Sequence, residues 1–437
     1  MNRRTFNHTM LSTLGAWMID PPSLWSQTHP DLRVNGPRVL KLLEELATFG
    51  HTKEGGVSRV AYSTANVEAR QFVTEIMRQA GLEPSVDVAG NIVGRRPGKE
   101  PNLPPLSMGS HIDTVPDGGR YDGTLGSLGA IEAAQTLAEN DITTRHHLEV
   151  IVFQNEEGGK TGSRALIGKL TEKDLDRVTH SGKTIREGIT ILGGDPTKLD
   201  EVKRQPGDVA AFLELHIEQG AVLDKERIHI GVVEGIVGIR RWNVIIDGVA
   251  NHAGTTPMND RHDALVAAAR FIESVRHVVT TMPGQQVGTV GQIQAFPGAP
   301  NVVPGQVTTS LEIRDLDMKK IDSIFEKIRT EALAIGRESG TEFQFDPFYL
   351  SEGAPTDERL REFVAESAQS LGLTSHRMPS GAGHDAQSLA QLGPIGMIFI
   401  PSVGGISHSP KELSRPEDIV SGVNVLLHTL LKTDTSL

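Results

Sequence analysis

Five stretches of the chain place imidazoles and carboxylates where strands should run into turns. They are Gly109-Ser110-His111-Ile112-Asp113, Tyr121-Asp122-Gly123, Asn155-Glu156-Glu157-Gly158, Glu214-Leu215-His216-Ile217-Glu218-Gln219 and Ile406-Ser407-His408-Ser409. The chain has no cysteine, so thiolate ligands, disulfides and a cysteine nucleophile are excluded. Three His and several carboxylates remain, the N/O donor set that zinc accepts. Two neighbouring ions sharing one carboxylate would use about this many ligands. The spacing is long-range, and any one of these imidazoles alone could be a surface or a satisfied core residue. Two features go further. In His111-Ile112-Asp113 a carboxylate can stand behind an imidazole and fix its tautomer. Glu156 and Glu157 are adjacent acids that repel unless a cation or separate tasks hold them together. One could bind metal while the other moves a proton; a solvated acidic turn is the plain alternative.

These residues need a scaffold. A chain of 437 residues exceeds one ordinary core, so two domains are expected. The composition is globular, with 38% hydrophobic and 22% charged residues. A net charge of −12 without a long Lys/Arg run argues against a nucleic-acid partner. Helices are read at 37–49 and 65–80. Apolar strands from Leu106, over 148–153 and over 395–400 each run into a polar loop. Strands of that kind between helices predict a mostly parallel sheet covered on both faces, with the site at the strands' carboxyl ends. The middle reads differently. Strands at 241–247, 287–295 and 306–314 alternate with helices at 263–279, bearing Leu265, Ala268, Ile272, Val275 and Val279 on one face, and at 318–336. That β-α-β-β-α order predicts a ferredoxin-like α+β layer at 237–350, inserted into a catalytic domain formed by 31–236 and 351–437. The last helix should start from a capping box, Ser414 to Glu417, and bury Ile419, Val423, Leu426 and Leu430.

Residues 1–30 are set apart from the fold. Arg3-Arg4 before Thr5-Phe6, then a short apolar stretch from Met10 to Ile19, follow the grammar of a twin-arginine export signal. A periplasmic or otherwise exported protein is expected, cytoplasmic if the signal is not used. No later segment reaches a membrane-spanning length, so no stable membrane insertion is expected.

The five stretches also carry a family resemblance. Met108 to Val115, with Gly119-Arg120-Tyr121-Asp122-Gly123, resembles the first metal motif of N-carbamoyl-L-amino-acid hydrolases, allantoate amidohydrolases and bacterial-type β-ureidopropionases. Glu214 to Gly220 is similar to the second, and Asn251-His252-Ala253-Gly254-Thr255-Thr256-Pro257-Met258 to the lid signature. Ser380 to Ala386 and Pro401 to His408 resemble the C-terminal motifs, and the match runs in order from about Leu40 to Leu430. The resemblance implies a zinc-aminopeptidase-like α/β catalytic domain whose inserted lid pairs two subunits as a homodimer. It implies two divalent ions per subunit, Zn2+ foremost, with Mn2+, Co2+ or Ni2+ acceptable to the same donors. His111 and Glu157 would bind opposite sides of the pair, Asp122 would bridge, and His216 and His408 would complete the two shells. Asp113 would orient His111, and Glu156 would be the general base.

His252, reaching in from the partner subunit, would help hold an oxyanion. Gln219, Asn301 and Arg314 would contact a small carboxylate-bearing substrate, Arg314 as a bidentate clamp. A salt bridge to Asp315 or Asp317 would also account for Arg314. The implied reaction cleaves a non-peptide C–N bond of a linear ureido or amide compound, such as an N-carbamoyl-L-amino acid or allantoate. An aminoacylase or dipeptidase on the same metal frame competes with it, as does a non-catalytic exported binding protein. One departure stands out. Only Gly158-Gly159-Lys160-Thr161 separates Glu157 from Gly162-Ser163-Arg164, where the family has a longer, aromatic-containing stretch.

Overall fold

The computed structural model describes residues 31–437; the export signal read at 1–30 lies outside the described residues. Among these, nine strands form one twisted sheet. Its centre is parallel. Leu148–Phe153, Leu106–His111, Ala211–Ile217 and Ile395–Ile400 lie side by side in that order, all pointing the same way. Every residue of these four strands is buried, which is why 148–153 and 395–400 read as nearly unbroken apolar runs. The flanks differ from the expectation of a mostly parallel sheet. Ile92–Arg96 joins one side antiparallel, and Ile230–Ile236 joins the other antiparallel.

Both faces are covered. Thr124–Glu139 packs on the central strands, with Pro416–Ser436 and Gly36–Ala47 against it. Thr124–Glu139 escaped the sequence reading because it is buried nearly all round, so it shows no amphipathic stripe. On the opposite face Phe153, Phe212, Phe399, Leu166 and Leu389 form a second core. The final helix buries Ile419, Val423, Leu426 and Leu430. The expected capping box is absent: Pro416 opens the helix behind Arg415, and Ser414 Oγ donates to Pro401 O at 2.8 Å.

The chain leaves this sheet after Ile236 and returns to it at Ala354. Between those points an antiparallel sheet runs Ile293–Phe296, Gln306–Asp315, Gly238–Asp247, Glu342–Ser351. Ala264–Thr281 and Met318–Ser339 cover one of its faces. Gln306–Asp315 alternates buried and half-buried residues along its whole length, as a one-sided sheet requires. Trp242 stacks on Phe325 with ring centres 4.2 Å apart, in a core with Phe271, Leu311 and Ile328. The strand read at 287–295 is two pieces, Val287–Thr289 and Ile293–Phe296. Leu265, expected in the core, is exposed; Ala264, Ala267 and Phe271 take the inward face instead. No helix among the described residues is long and apolar enough to cross a membrane.

Candidate metal centre

His111 ends the Leu106–His111 strand, and His216 lies one residue before the end of Ala211–Ile217. Glu156 and Glu157 follow Leu148–Phe153, and His408 follows Ile395–Ile400. Asp122 precedes Thr124–Glu139. All therefore gather at the carboxyl ends of the parallel strands, where α/β sheets place their sites.

The two buried imidazoles are oriented alike. His111 Nδ1 lies 3.0 Å from the main-chain oxygen of Asp113, and His216 Nδ1 lies 2.9 Å from that of Ile217. A carbonyl only accepts, so each Nδ1 donates its hydrogen to the main chain and each Nε2 faces the site, that of His216 lying 3.2 Å from Gly123 N. Asp122 stands between two groups of donors. Its Oδ1 is 3.2 Å from His216 Nε2 and 3.6 Å from His111 Nε2. Its Oδ2 is 3.3 Å from His408 Nε2, which is also 3.3 Å from Glu157 Oε1. His111, Asp122 and His216 thus form one cluster that could hold a metal ion, and Asp122, Glu157 and His408 another. Glu156 Oε2, 3.9 Å from His111 Nε2, belongs to neither cluster.

The charge balance fits this donor set. Hydrogen bonds to Asp122 and Glu157 push His408 up to about 11. Burial pulls His111 down, but Glu156, Asp113 and Asp122 outweigh it and carry the group up to about 10. Burial opposes ionisation of Asp122, yet His216 and His408 hold it well below the usual carboxylate range. Burial, then Asp385 and Glu157, push Glu156 well above that range against the pull of His111. Protons on imidazole here stand where cations would stand. The backbone is also unusual around the site. Asn155, Lys160, Gln219 and His408 have φ of 51°, 56°, 57° and 53°, a left-handed region that non-glycine residues seldom adopt without cause. At Gly123, with φ of 65°, a Cβ would fall 2.3 Å from His111 Nε2, so only glycine passes there.

Residues 108–432 match the model of peptidase family M20/M25/M40. The chain belongs to that family. An N-carbamoyl-L-amino-acid amidohydrolase of Pseudomonas sp. (strain NS671) is 39% identical over 89% of this chain and 96% of its own length. An allantoate amidohydrolase of Bacillus subtilis (strain 168) is 35% identical over 89% and 96%. A crystal structure of a hydantoinase/carbamoylase-family amidase from Burkholderia multivorans superposes with a TM-score of 0.85 at 35% identity, covering 92% of this chain and 98% of that one.

Within this M20-family frame the other expected residues fall into two sets. Gln219 joins the cluster: its Nε2 donates to Asp122 Oδ2 at 2.7 Å, while its Oε1 is buried without a partner. Asp113 lies behind His111, but the close contact is through its main-chain oxygen; its carboxylate oxygen is 3.8 Å away. That carboxylate instead accepts the N–H groups of Glu156 and Glu157, each at 3.2 Å, and so fixes the acidic turn. Arg314 pairs neither with Asp315 nor with Asp317. Its Nε donates to Glu312 at 2.7 Å and its Nη1 to the carbonyl of Gly381, also at 2.7 Å, across to the catalytic sheet. His252 and Asn301 are exposed on the inserted domain and adjoin each other, with Ala253 N donating to Asn301 O at 3.0 Å. His252 Nδ1 accepts from the N–H groups of Gly254 and Thr255, which leaves the hydrogen on Nε2.

The sequence reading missed Glu412. It is buried, and one oxygen accepts from the N–H groups of Tyr121 and Asp122 at 2.8 and 3.1 Å. The other receives Ser407 Oγ at 3.0 Å, which also lies 3.0 Å from Asp122 Oδ2. A Cβ on Gly119 would fall 2.0 Å from this carboxylate. An acid four residues after His408, in a turn closed by Glu412 N to Ser409 O, was the available signal.

Proposed function

We propose that this M20-family enzyme is a dinuclear metal-dependent amidohydrolase that cleaves the C–N bond of a linear ureido or amide compound bearing a carboxylate. The observation that carries the reading is Asp122, a single carboxylate whose two oxygens face two different His/carboxylate clusters. His111, Asp122 and His216 would hold one ion, and Asp122, Glu157 and His408 the other. Zn2+ suits these donors best, and Mn2+, Co2+ and Ni2+ suit them too. Bound divalent ions supply Lewis acidity, which polarises a carbonyl and acidifies water.

The chain's own groups do the rest. Glu156, outside both clusters, takes a proton from the attacking water and passes it to the leaving nitrogen. Asp113 holds the turn on which Glu156 sits. His252, with its free Nε2–H, donates to the oxyanion of a site on the partner subunit. Arg314, Asn301 and Gln219 hold the substrate, Arg314 exchanging Gly381 O for the substrate carboxylate. Relatives named for N-carbamoyl-L-amino acids and for allantoate support a ureido acid as substrate. Its hydrolysis with water yields ammonia, carbon dioxide and a free amine.

A homodimer is part of the reading. Among the described residues Ile293–Phe296 is a sheet edge, and Ile293 and Phe296 on it, Val287 on the strand Val287–Thr289, and Leu265 and Val266 on the helix Ala264–Thr281 expose apolar surface. A second copy would cover them. Export rests on Arg3-Arg4 and the apolar stretch after it, and the mature N-terminus checks it.

Glu156→Gln tests the mechanism. Turnover should fall by roughly 10²–10⁴-fold with metal content intact. Unchanged turnover would remove Glu156 as the base. A panel of carbamoyl amino acids, allantoate, ureidoglycolate, β-ureidopropionate, acyl amino acids and dipeptides tests the substrate class. Ammonia release from the ureido members supports the reading, and activity confined to acyl amino acids or dipeptides overturns it.

A further inference from the structure

The link between the two sheets passes through one short segment of the catalytic part, residues 380–387. At the outgoing crossing Val237 N donates to Ser380 O at 3.0 Å. From the inserted domain Arg314 Nη1 donates to Gly381 O. At the return crossing Gln387 Nε2 donates to Ser351 Oγ at 3.2 Å and to Glu352 O at 2.6 Å. The same segment reaches under the candidate metal centre. The His384 ring lies edge-on to that of His216, centres 4.5 Å apart, and Ala386 N donates to Glu214 Oε2 at 3.0 Å.

Gln387 is the junction. Its amide nitrogen holds the return link, and its amide oxygen accepts from Lys160 Nζ. Lys160 in turn belongs to the acidic turn, since its main-chain N donates to Glu156 O at 2.7 Å. Lys160 holds a left-handed backbone, which a non-glycine residue seldom adopts and which marks a conformation imposed by its surroundings. Both ends of one small, planar amide are therefore spoken for by segments from different domains.

We propose that Gln387 is a positioning residue that ties the setting of the inserted domain to the setting of the turn bearing Glu156, with Lys160 as the second half of the tie. The catalytic consequence rests on the reading of Glu156 as base; the mechanical consequence does not. A lid displaced from its closed position pulls on Ser351 and Glu352, and the strain reaches Glu156 through two side chains and no metal ligand.

The test uses full-length, metal-loaded protein and two readouts. Hydrogen exchange is followed on peptides spanning 154–162 and 348–354, and kcat and KM are measured separately. Gln387→Leu should speed exchange in both peptides and lower kcat on the order of tenfold, with less change in KM and with metal content as in the parent. Lys160→Met should loosen only the 154–162 peptide. The double variant should match Gln387→Leu, because the two residues act as one unit. Gln387→Glu keeps the acceptor for Lys160 and loses both donors, so it should loosen only 348–354; it also serves if Gln387→Leu does not fold. A Gln387→Leu protein that loosens the return link while 154–162 and kcat stay as in the parent overturns the proposal, as do multiplicative effects in the double variant. Exchange needs no turnover, so an active Glu156→Gln enzyme would sink the base assignment and leave this result standing.

Discussion

At the ends of the central strands, His111 and His216 are buried, and each has its Nδ1–H committed to a main-chain carbonyl close by. On the inserted domain, His252 and Asn301 are exposed, and Ala253 N donates to Asn301 O beside them. The first region is closed by its own neighbours: strand ends aim the candidate ligands, the Asp113 carboxylate clamps the acidic turn, and Glu412 holds the main chain of Asp122. The second is unfinished. Its turn fixes which nitrogen of His252 carries the hydrogen, and no acceptor for that hydrogen lies among the described residues. Under the proposed reading, a site divided in this way would keep its metal ligands rigid and leave substrate entry and closure to the inserted domain.

The sharpest way to break the comparison is at Asp122. Asp122→Ala removes one oxygen from each cluster, so both ions should be lost together and turnover should fall to background. Metal analysis after dialysis checks this. A variant that keeps one ion at full occupancy would show that the clusters do not share this carboxylate.

The next effect belongs to the lid. His252→Ala should retain its metal and lose on the order of 10²–10³ in kcat, the usual effect of deleting one oxyanion donor. Mixing it with Glu156→Gln separates two geometries. If His252 serves the partner's site, a hybrid dimer pairs an intact Glu156 with an intact His252 at one of its two sites. Random exchange should then restore about a quarter of parental activity from two nearly inactive proteins. No recovery would place His252 and Glu156 in the same subunit's site.

The same division decided what was legible in the sequence. Strands 148–153 and 395–400 announced themselves because both their faces are buried, and the resemblance named the ligands in order along the chain. Spacing alone could not assemble them, because His111 and His408 are brought together only by the parallel order of the strands between. The helix Thr124–Glu139 was silent because burial on every side erases periodicity. Leu265 was read as core because of its spacing, yet it is exposed, and Ala264, Ala267 and Phe271 one step round the helix take the inward face. Ser414 and Glu417 had the spelling of a capping box, but Pro416 starts the helix and the Ser414 hydroxyl is drawn to Pro401. Gln387 carried no local pattern, since it is tied to Lys160, Ser351 and Glu352, all distant in sequence. Glu412 offered only its place four residues after His408, while the main chain it holds lies about 290 residues away.

Acidity should sharpen the contrast further, because the candidate metal centre contains imidazoles that are strongly shifted. In ion-free protein His408 and His111 stay protonated up to about 11 and about 10. A ligating imidazole must be neutral, so each ion that binds displaces a proton. Metal affinity should therefore rise with pH below those values, by up to about tenfold per pH unit for each proton displaced. Burial notwithstanding, Asp122 holds His216 up as well. The sign follows from linkage: protonation favours the ion-free form, so lowering the pH favours metal loss. Titration calorimetry in buffers of different ionisation enthalpy counts the protons released. A count near zero at pH 7 would mean that the imidazoles are already neutral.

The smallest effect tests whether the rigidity of the metal centre comes from its ligands or from what stands behind them. Glu412→Gln preserves volume, and its remaining oxygen can still accept from Tyr121 and Asp122. The new amide nitrogen cannot accept from Ser407, whose hydroxyl then turns fully to Asp122 Oδ2. That extra hydrogen bond competes for the oxygen facing Glu157 and His408. The ion on that side should weaken by about tenfold, toward the low end of what partners behind the ligands contribute. The ion on the His111–His216 side should hold as before. Stepwise chelator competition resolves the two. Equal weakening of both would locate the effect in the main chain of Asp122, and no weakening would mean that Ser407 holds Asp122 in position without help from Glu412.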